Sequence, residues 1–178
     1  MPDLHKQLAR CFQGRVCLLG LGNPDYGDDG FGIRLAETLR ESSWRFCNVR
    51  VVEAGNAPER FLGGLADEGC DHLIFLDAVD FGGEPGSVVF LDADEMAARF
   101  PQISTHKISL SLLAKWVEAS GKTKAWLLGV QPQSLAPNPK FTTPVQKTFE
   151  LLTILLGEML SNSEVQSATG NSSFQNVC

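Results

Sequence analysis

Short apolar runs rich in Val, Leu, Ile and Phe alternate along the chain with segments whose apolar residues recur every three to four positions. That alternation predicts an α/β domain built around a largely parallel sheet. Five strands are expected, over residues 15–22, 48–53, 72–78, 87–92 and 124–131, each short and flanked by Gly, Pro or Asp. The run LIFL at 73–76 is continuously apolar, as a strand covered by helices on both faces should be. Phe31, Leu35 and Leu39 follow one another at helical spacing behind Asp28 and Asp29, an acidic first turn that suits the macrodipole. Pro58 to Glu68 reads as a helix with Pro at its first position, weakened by Gly63 and Gly64. Further helices are expected near 94–100, stopped by Pro101, around Leu110, Leu113 and Val117, and over Val145, Phe149, Leu152, Leu156 and Met159.

The expected fold is a three-layer α/β/α sandwich with a twisted, mostly parallel five-stranded sheet. One domain over residues 1–160 accounts for it, residues 1–14 being an N-terminal extension. From Ser161 to Cys178, Ser, Asn and Gln replace nearly all apolar residues, which predicts a disordered, dispensable tail. Residues 132–143 are the other stretch without periodicity, long enough for a functional loop.

Composition narrows the function. With 43% hydrophobic and 20% charged residues the 178-residue chain is ordinary for a globular domain, and its net charge of −6 provides no positive field for a phosphate backbone. No nucleic-acid partner is expected. The five cysteines (Cys11, Cys17, Cys47, Cys70, Cys178) contain no C-x-x-C pair, which argues for reduced thiols and against a disulfide framework or zinc knuckle. MPDLHKQLARCFQGR lacks the apolar core of a secretory signal, and no apolar run approaches the ~20 residues that span a bilayer. The expectation is a cytoplasmic monomer that does not insert into membranes.

Candidate chemistry concentrates in GLGNPDYGDDGFG, Gly20 to Gly32. A dinucleotide fingerprint fails there, because the third glycine of G-x-G-x-x-G would fall on Asp25, and Asp28 and Asp29 would repel a pyrophosphate at the helix start. Carboxylates in such a turn suit a cation instead. Ligands of open α/β sheets bind outside the carboxyl ends of the strands, where Asp29 and Asp77 are expected, with Asp80 three residues further on. Of the three histidines, His72 opens its strand and so belongs to the opposite edge, and His5 lies in the extension, which leaves His106 in QISTHKIS. Two carboxylates and an imidazole suit a borderline divalent metal such as nickel or zinc. Each residue also has an ordinary reading: Asp29 as a helix cap, His106 as a surface or capping histidine, and Gly22, Gly27, Gly30 and Gly55 as backbone turns. Asp77 has less room for one, since a carboxylate ending a buried strand is costly unless paired. No G-x-S-x-G and no well-placed cysteine provides a nucleophile.

In their order, GLGNPDYGDDGFGIRLAE, VVEAGNAPE, LIFLDAVDFGGEPGSV, STHKISLSLL and LLGVQP resemble the hydrogenase maturation endopeptidases, over about residues 15–160. The THKISL and GVQP segments are most similar to the group serving formate-hydrogenlyase-type hydrogenases. The resemblance implies an endopeptidase that removes the C-terminal extension of a nickel-iron hydrogenase large-subunit precursor after nickel insertion. It also implies that Asp29, Asp77 and His106 are the catalytic and nickel-contacting positions, the nickel being carried by the substrate. Many family members have Glu at the first position, where this chain has Asp29. Either nickel polarises the scissile carbonyl or activates water, or a carboxylate such as Asp80 acts as base. Two rivals stand beside this reading. One is a non-catalytic hydrogenase-binding chaperone of the same fold. The other is a peptidyl-tRNA hydrolase, suggested by GLGNP and Tyr26, although that family continues into T-R-H-N and needs a basic surface.

Overall fold

The computed structural model describes residues 3–43, 48–99, 109–119 and 121–167. Its five strands are β1 (Val16–Leu21), β2 (Val49–Gly55), β3 (His72–Ala78), β4 (Val88–Asp92) and β5 (Lys124–Val130). They form one sheet in the order β2-β1-β3-β5-β4, parallel except for β4, which runs antiparallel to β5 at the edge. All five expected strands are present, with no end shifted by more than two residues. The helices are α1 (Leu4–Cys11), α2 (Phe31–Ser43), α3 (Glu59–Glu68), α4 (Ala93–Arg99), α5 (Leu110–Ala119) and α6 (Thr143–Ser167), with a single 3₁₀ turn over Gly27–Gly30 before α2.

Side chains leave the strands alternately to either face, and the core divides accordingly. Leu18, Ile74, Leu76, Leu128 and Val130 pack with Leu35 and Leu39 of α2 and with Val145, Leu152 and Leu156 of α6. Cys17, Leu19, Leu21, Leu73, Phe75 and Leu127 pack on the other face with Met96 of α4 and with Leu110, Leu113 and Val117 of α5. β3 is buried from Leu73 through Ala78 because both its faces are covered, as its unbroken apolar run requires. Gly69 ends α3 in the left-handed conformation at φ 70°.

Two segments differ from the sequence reading. The N-terminal extension carries α1, which begins with the Asp3 side chain accepting from the His5 N–H at 3.1 Å and, with Phe12 just after it, buries Leu8 and Cys11 in the α2–α6 side of the core. Its eight residues were too short for their periodicity to stand out. At the other end α6 continues past Leu160 to Ser167, so the beginning of the expected tail is helical, and residues 168–178 lie outside the described residues. Polar residues lower the hydrophobic gain of a helix without preventing a long one from extending by a turn or two.

At the amino edge of the sheet, His72 is held as a neutral ring. Trp126 donates its Nε1–H to His72 Nδ1 at 3.1 Å, and Trp126 stacks on Phe90 with ring centroids 5.1 Å apart. Burial lowers the His72 pKa, partly offset by the nearby Asp71 carboxylate. His72 lies at the opposite edge from Asp77, as its position at the start of β3 predicts.

Because Leu8 is fully buried, Leu8→Ala should destabilise the fold by about 3 kcal/mol, as other Leu-to-Ala core truncations do. Urea denaturation checks this: an unchanged midpoint would show that α1 does not contribute to the core.

Candidate active site

The chain moves from β1 to β2 on one side and then to β3 on the other, so the order of the sheet reverses between β1 and β3. Outside the carboxyl ends of strands at such a reversal lies the crevice where open α/β sheets bind ligands. Asp29 follows β1 through the 3₁₀ turn, and Asp77 stands near the end of β3, one residue beyond the Gly20–Leu76 pair of the two strands. The 3₁₀ turn packs against β3. The structure therefore brings Asp29 and Asp77 to one edge. His106 lies outside the described residues. Among the described residues no group of three His, Cys, Asp or Glu side chains is arranged to hold a metal.

Backbone contacts set the approach of the two segments. A Cβ on Gly32 would collide with the carbonyl oxygen of Leu76 and lie 2.6 Å from that of Leu21, and one on Gly20 would lie 2.5 Å from the Gly32 carbonyl. Helix α2 thus rests its first turn directly on β1 and β3. Gly22, at φ +100°, turns the chain out of β1, and a Cβ there would strike the Asp29 carbonyl.

The Asp29 side chain is half-buried. Its Oδ2 accepts from the Asn23 N–H at 2.7 Å, and Oδ1 has no partner among the described residues. The bond runs back into the loop rather than forward into α2, so Asp29 does not act as the helix cap that its position suggested. Asp77 is 1% exposed, and its Oδ1 accepts from the Ala78 N–H at 2.9 Å.

Asp28, which from sequence alone reads as part of an acidic first turn that repels a phosphate, is completely buried. Its Oδ2 accepts from the N–H groups of Gln133 and Ser134 at 2.8 and 3.0 Å, and its Oδ1 from the Thr142 N–H at 2.8 Å. The Thr142 hydroxyl lies 2.8 Å from Oδ2 and 3.1 Å from Oδ1. Arg34 of α2 adds Nη2 bonds to the carbonyls of Pro24 at 3.0 Å and Pro139 at 2.7 Å, with its guanidinium 5.1 Å from the centre of the Phe141 ring. The aperiodic segment 132–143 is therefore a fastened wall beside the crevice. A pair of adjacent aspartates in a glycine-rich turn was the available signal; which one faces inward was not readable from it.

Gln131 organises the loop after β3. Its Oε1 accepts from the N–H groups of Phe81 at 2.9 Å and Gly83 at 3.1 Å, and its Nε2 donates to Asp80 Oδ1 at 3.0 Å. Asp80 Oδ1 also accepts from the Gly82 N–H at 3.1 Å. The Gln131 and Gly82 bonds hold the Asp80 carboxyl below the ordinary carboxylate range, which makes it a weaker base. The thiols are no better placed. Burial pushes Cys17 up to about 12 and Cys11 up to about 11, and raises Cys70 as well, so these three described thiols are not activated nucleophiles at neutral pH.

Residues 33–157 match the sequence model of a family described as hydrogenase maturation protease. The chain is 32% identical to the hydrogenase 2 maturation protease of Escherichia coli K12 over 140 residues, which cover 76% of this chain and 84% of that one. It is 31% identical to the hydrogenase 3 maturation protease of the same strain, over 75% of this chain and 83% of that one. The crystal structure of a [NiFe] hydrogenase maturation protease, HycI from Thermococcus kodakarensis KOD1, superposes with a TM-score of 0.77 at 30% identity, covering 88% of this chain and 99% of that one. An α/β fold with two acidic side chains at its switch point thus accompanies matches along most of the sequence, and the chain belongs to the hydrogenase maturation protease family. It is an endopeptidase of hydrogenase processing. No helix among the described residues is long and apolar enough to cross a membrane.

Asp80→Asn keeps an oxygen that can accept from Gly82 and Gln131 while removing the carboxylate. The variant should cleave precursor at a rate within about threefold of the parent. A loss of two or more orders of magnitude in single-turnover cleavage, with the loop intact, would restore Asp80 as the base.

Proposed function

We propose that this endopeptidase removes the C-terminal extension of a nickel-iron hydrogenase large-subunit precursor, acting as a monomer once nickel has been inserted into the substrate. Asp29, Asp77 and His106 contact the substrate's nickel. The observation that carries this reading is the convergence of Asp29 and Asp77 on the β1–β3 switch point, one through the turn after β1 and the other directly from β3. Oxygen ligands from two loops and an imidazole from a third form an incomplete coordination sphere for a borderline metal. Thiolates of the substrate complete it, so recognition requires a precursor that already carries its metal.

The same chemistry accounts for the order of events. An enzyme that supplies only part of the ligand set binds little metal by itself and gains its grip on the substrate through the ion. Cleavage then follows insertion. The weak basicity of Asp80 favours polarisation of the scissile carbonyl, or activation of a water, by the substrate's metal over general-base catalysis from that side chain.

The test compares nickel-free and nickel-loaded precursor under chelator control, with product masses as the readout. Only the loaded precursor should be cut, and purified enzyme should retain little nickel. Equal cleavage of both precursors would overturn the nickel requirement while leaving the protease assignment untouched.

A further inference from the structure

The Asp28 carboxyl group is the least expected feature beside the site. It is wholly buried one residue before Asp29, yet it does not face the crevice; among the described residues, the groups that meet its oxygens come from the wall at 133–142. Those groups are all donors: the N–H groups of Gln133, Ser134 and Thr142, and the Thr142 hydroxyl. A carboxylate is the side chain that can only accept, so it satisfies all of them at once.

Main-chain bonds run alongside. The Asp28 N–H donates to the Ser134 carbonyl at 3.1 Å, the Gly27 N–H to the Asn138 carbonyl at 2.6 Å, and the Asn138 N–H to the Asp25 carbonyl at 2.9 Å. The 3₁₀ turn bearing Asp29 is therefore held from two sides. Backbone contact with β1 and β3 fixes it from below, and the wall fixes it from the flank. The first restraint is the close glycine contact of the first turn of α2 with β1 and β3. The second combines those three main-chain bonds and the Arg34 bonds to Pro24 and Pro139 with one buried carboxylate, which gathers the donors of residues 133, 134 and 142.

We propose that Asp28 is a positioning residue of the cleavage site, a lock that fastens the 133–142 wall to the 3₁₀ turn and so fixes where Asp29 stands. The lock rests on the reading above, in which Asp29 contacts the substrate's metal. Displacing a reacting group by about 1 Å lowers rates by up to about a hundredfold, so a loosened turn should act on turnover.

The informative variant is Asp28→Asn. It keeps the size of the side chain, but its NH₂ must face either the Thr142 N–H or those of Gln133 and Ser134, donor against donor. Thr142→Val is the milder companion, removing only the hydroxyl that bridges the two oxygens. Both are assayed with nickel-loaded precursor at a temperature where circular dichroism reports folded protein, alongside amide exchange. In Asp28→Asn, kcat should fall at least about tenfold while KM moves by less than about threefold. The amides of Gln133, Ser134 and Thr142 should exchange faster, those of β1 and β3 should not, and Thr142→Val should shift in the same direction by less. A lower melting temperature with unchanged kcat in the folded variant would overturn the proposal by making Asp28 merely structural. A raised KM at unchanged kcat would also overturn it. Should Asp28→Asn fail to fold, Thr142→Val decides: faster exchange of the wall amides at unchanged kcat sinks the lock. Asp29→Asn in the same assay separates the two readings. Full activity there removes Asp29 from the site, whereas amide exchange still reports whether Asp28 holds the wall.

Discussion

The site depends on the direct contact between the first turn of α2 and the ends of β1 and β3. A Cβ on Gly32 would collide with the Leu76 carbonyl, and one on Gly20 would meet the Gly32 carbonyl at 2.5 Å, so backbone approaches backbone with nothing between. This closeness brings the turn that carries Asp29 over the end of the strand that carries Asp77. Any side chain at either glycine would lift the helix off the sheet and separate the carboxylates, because packed interiors cannot absorb a methyl group at such distances. The carboxyl edge of the sheet is in that sense built on absent side chains.

Adjacent aspartates then divide the work. Among the described residues, Asp28 turns into the protein and is satisfied by donors of the 133–142 wall, while Asp29 makes one bond to the Asn23 N–H and keeps an oxygen without a partner. A 3₁₀ turn directs consecutive side chains about 120° apart, which lets two identical residues meet opposite environments. Gln131 does comparable work on the other flank, where its amide accepts from two backbone N–H groups and donates to Asp80. Two buried polar side chains thus hold the two loops that border the crevice, and buried polar groups satisfied in this way specify one arrangement rather than several.

The two edges of the sheet differ in their chemistry. At the amino edge His72, Trp126 and Phe90 form a packed, half-buried set in which the imidazole is neutral, and the neighbouring Asp71 accepts from the Arg15 N–H at 2.7 Å. These groups fasten strand ends to loops. The carboxyl edge instead gathers acidic side chains on glycine turns, whereas the thiols of Cys17 at the start of β1, Cys70 just before β3 and Cys11 at the end of α1 lie elsewhere and are kept protonated by burial. Peptide cleavage in this chain therefore has oxygen groups at hand and no activated sulfur among the described residues.

The sequence by itself determined the strands, most of the helices and the edge at which chemistry should be sought. Period-two and period-3.6 patterns are local, and a buried parallel strand such as LIFL announces itself by being apolar throughout. The family was also legible, because its motifs follow one another along the chain. Helix α1 and the continuation of α6 to Ser167 are not legible in the sequence: the first is too short for a clear period, and the second runs into polar residues that weaken the pattern. Only the tertiary structure decided the different fates of Asp28 and Asp29, the fastening of residues 132–143 and the role of Gln131. Each of those depends on which backbone N–H groups arrive from segments some fifty to more than a hundred positions away. A carboxylate and its distant donors leave no periodic trace in sequence, since what joins them is the folded path of the chain.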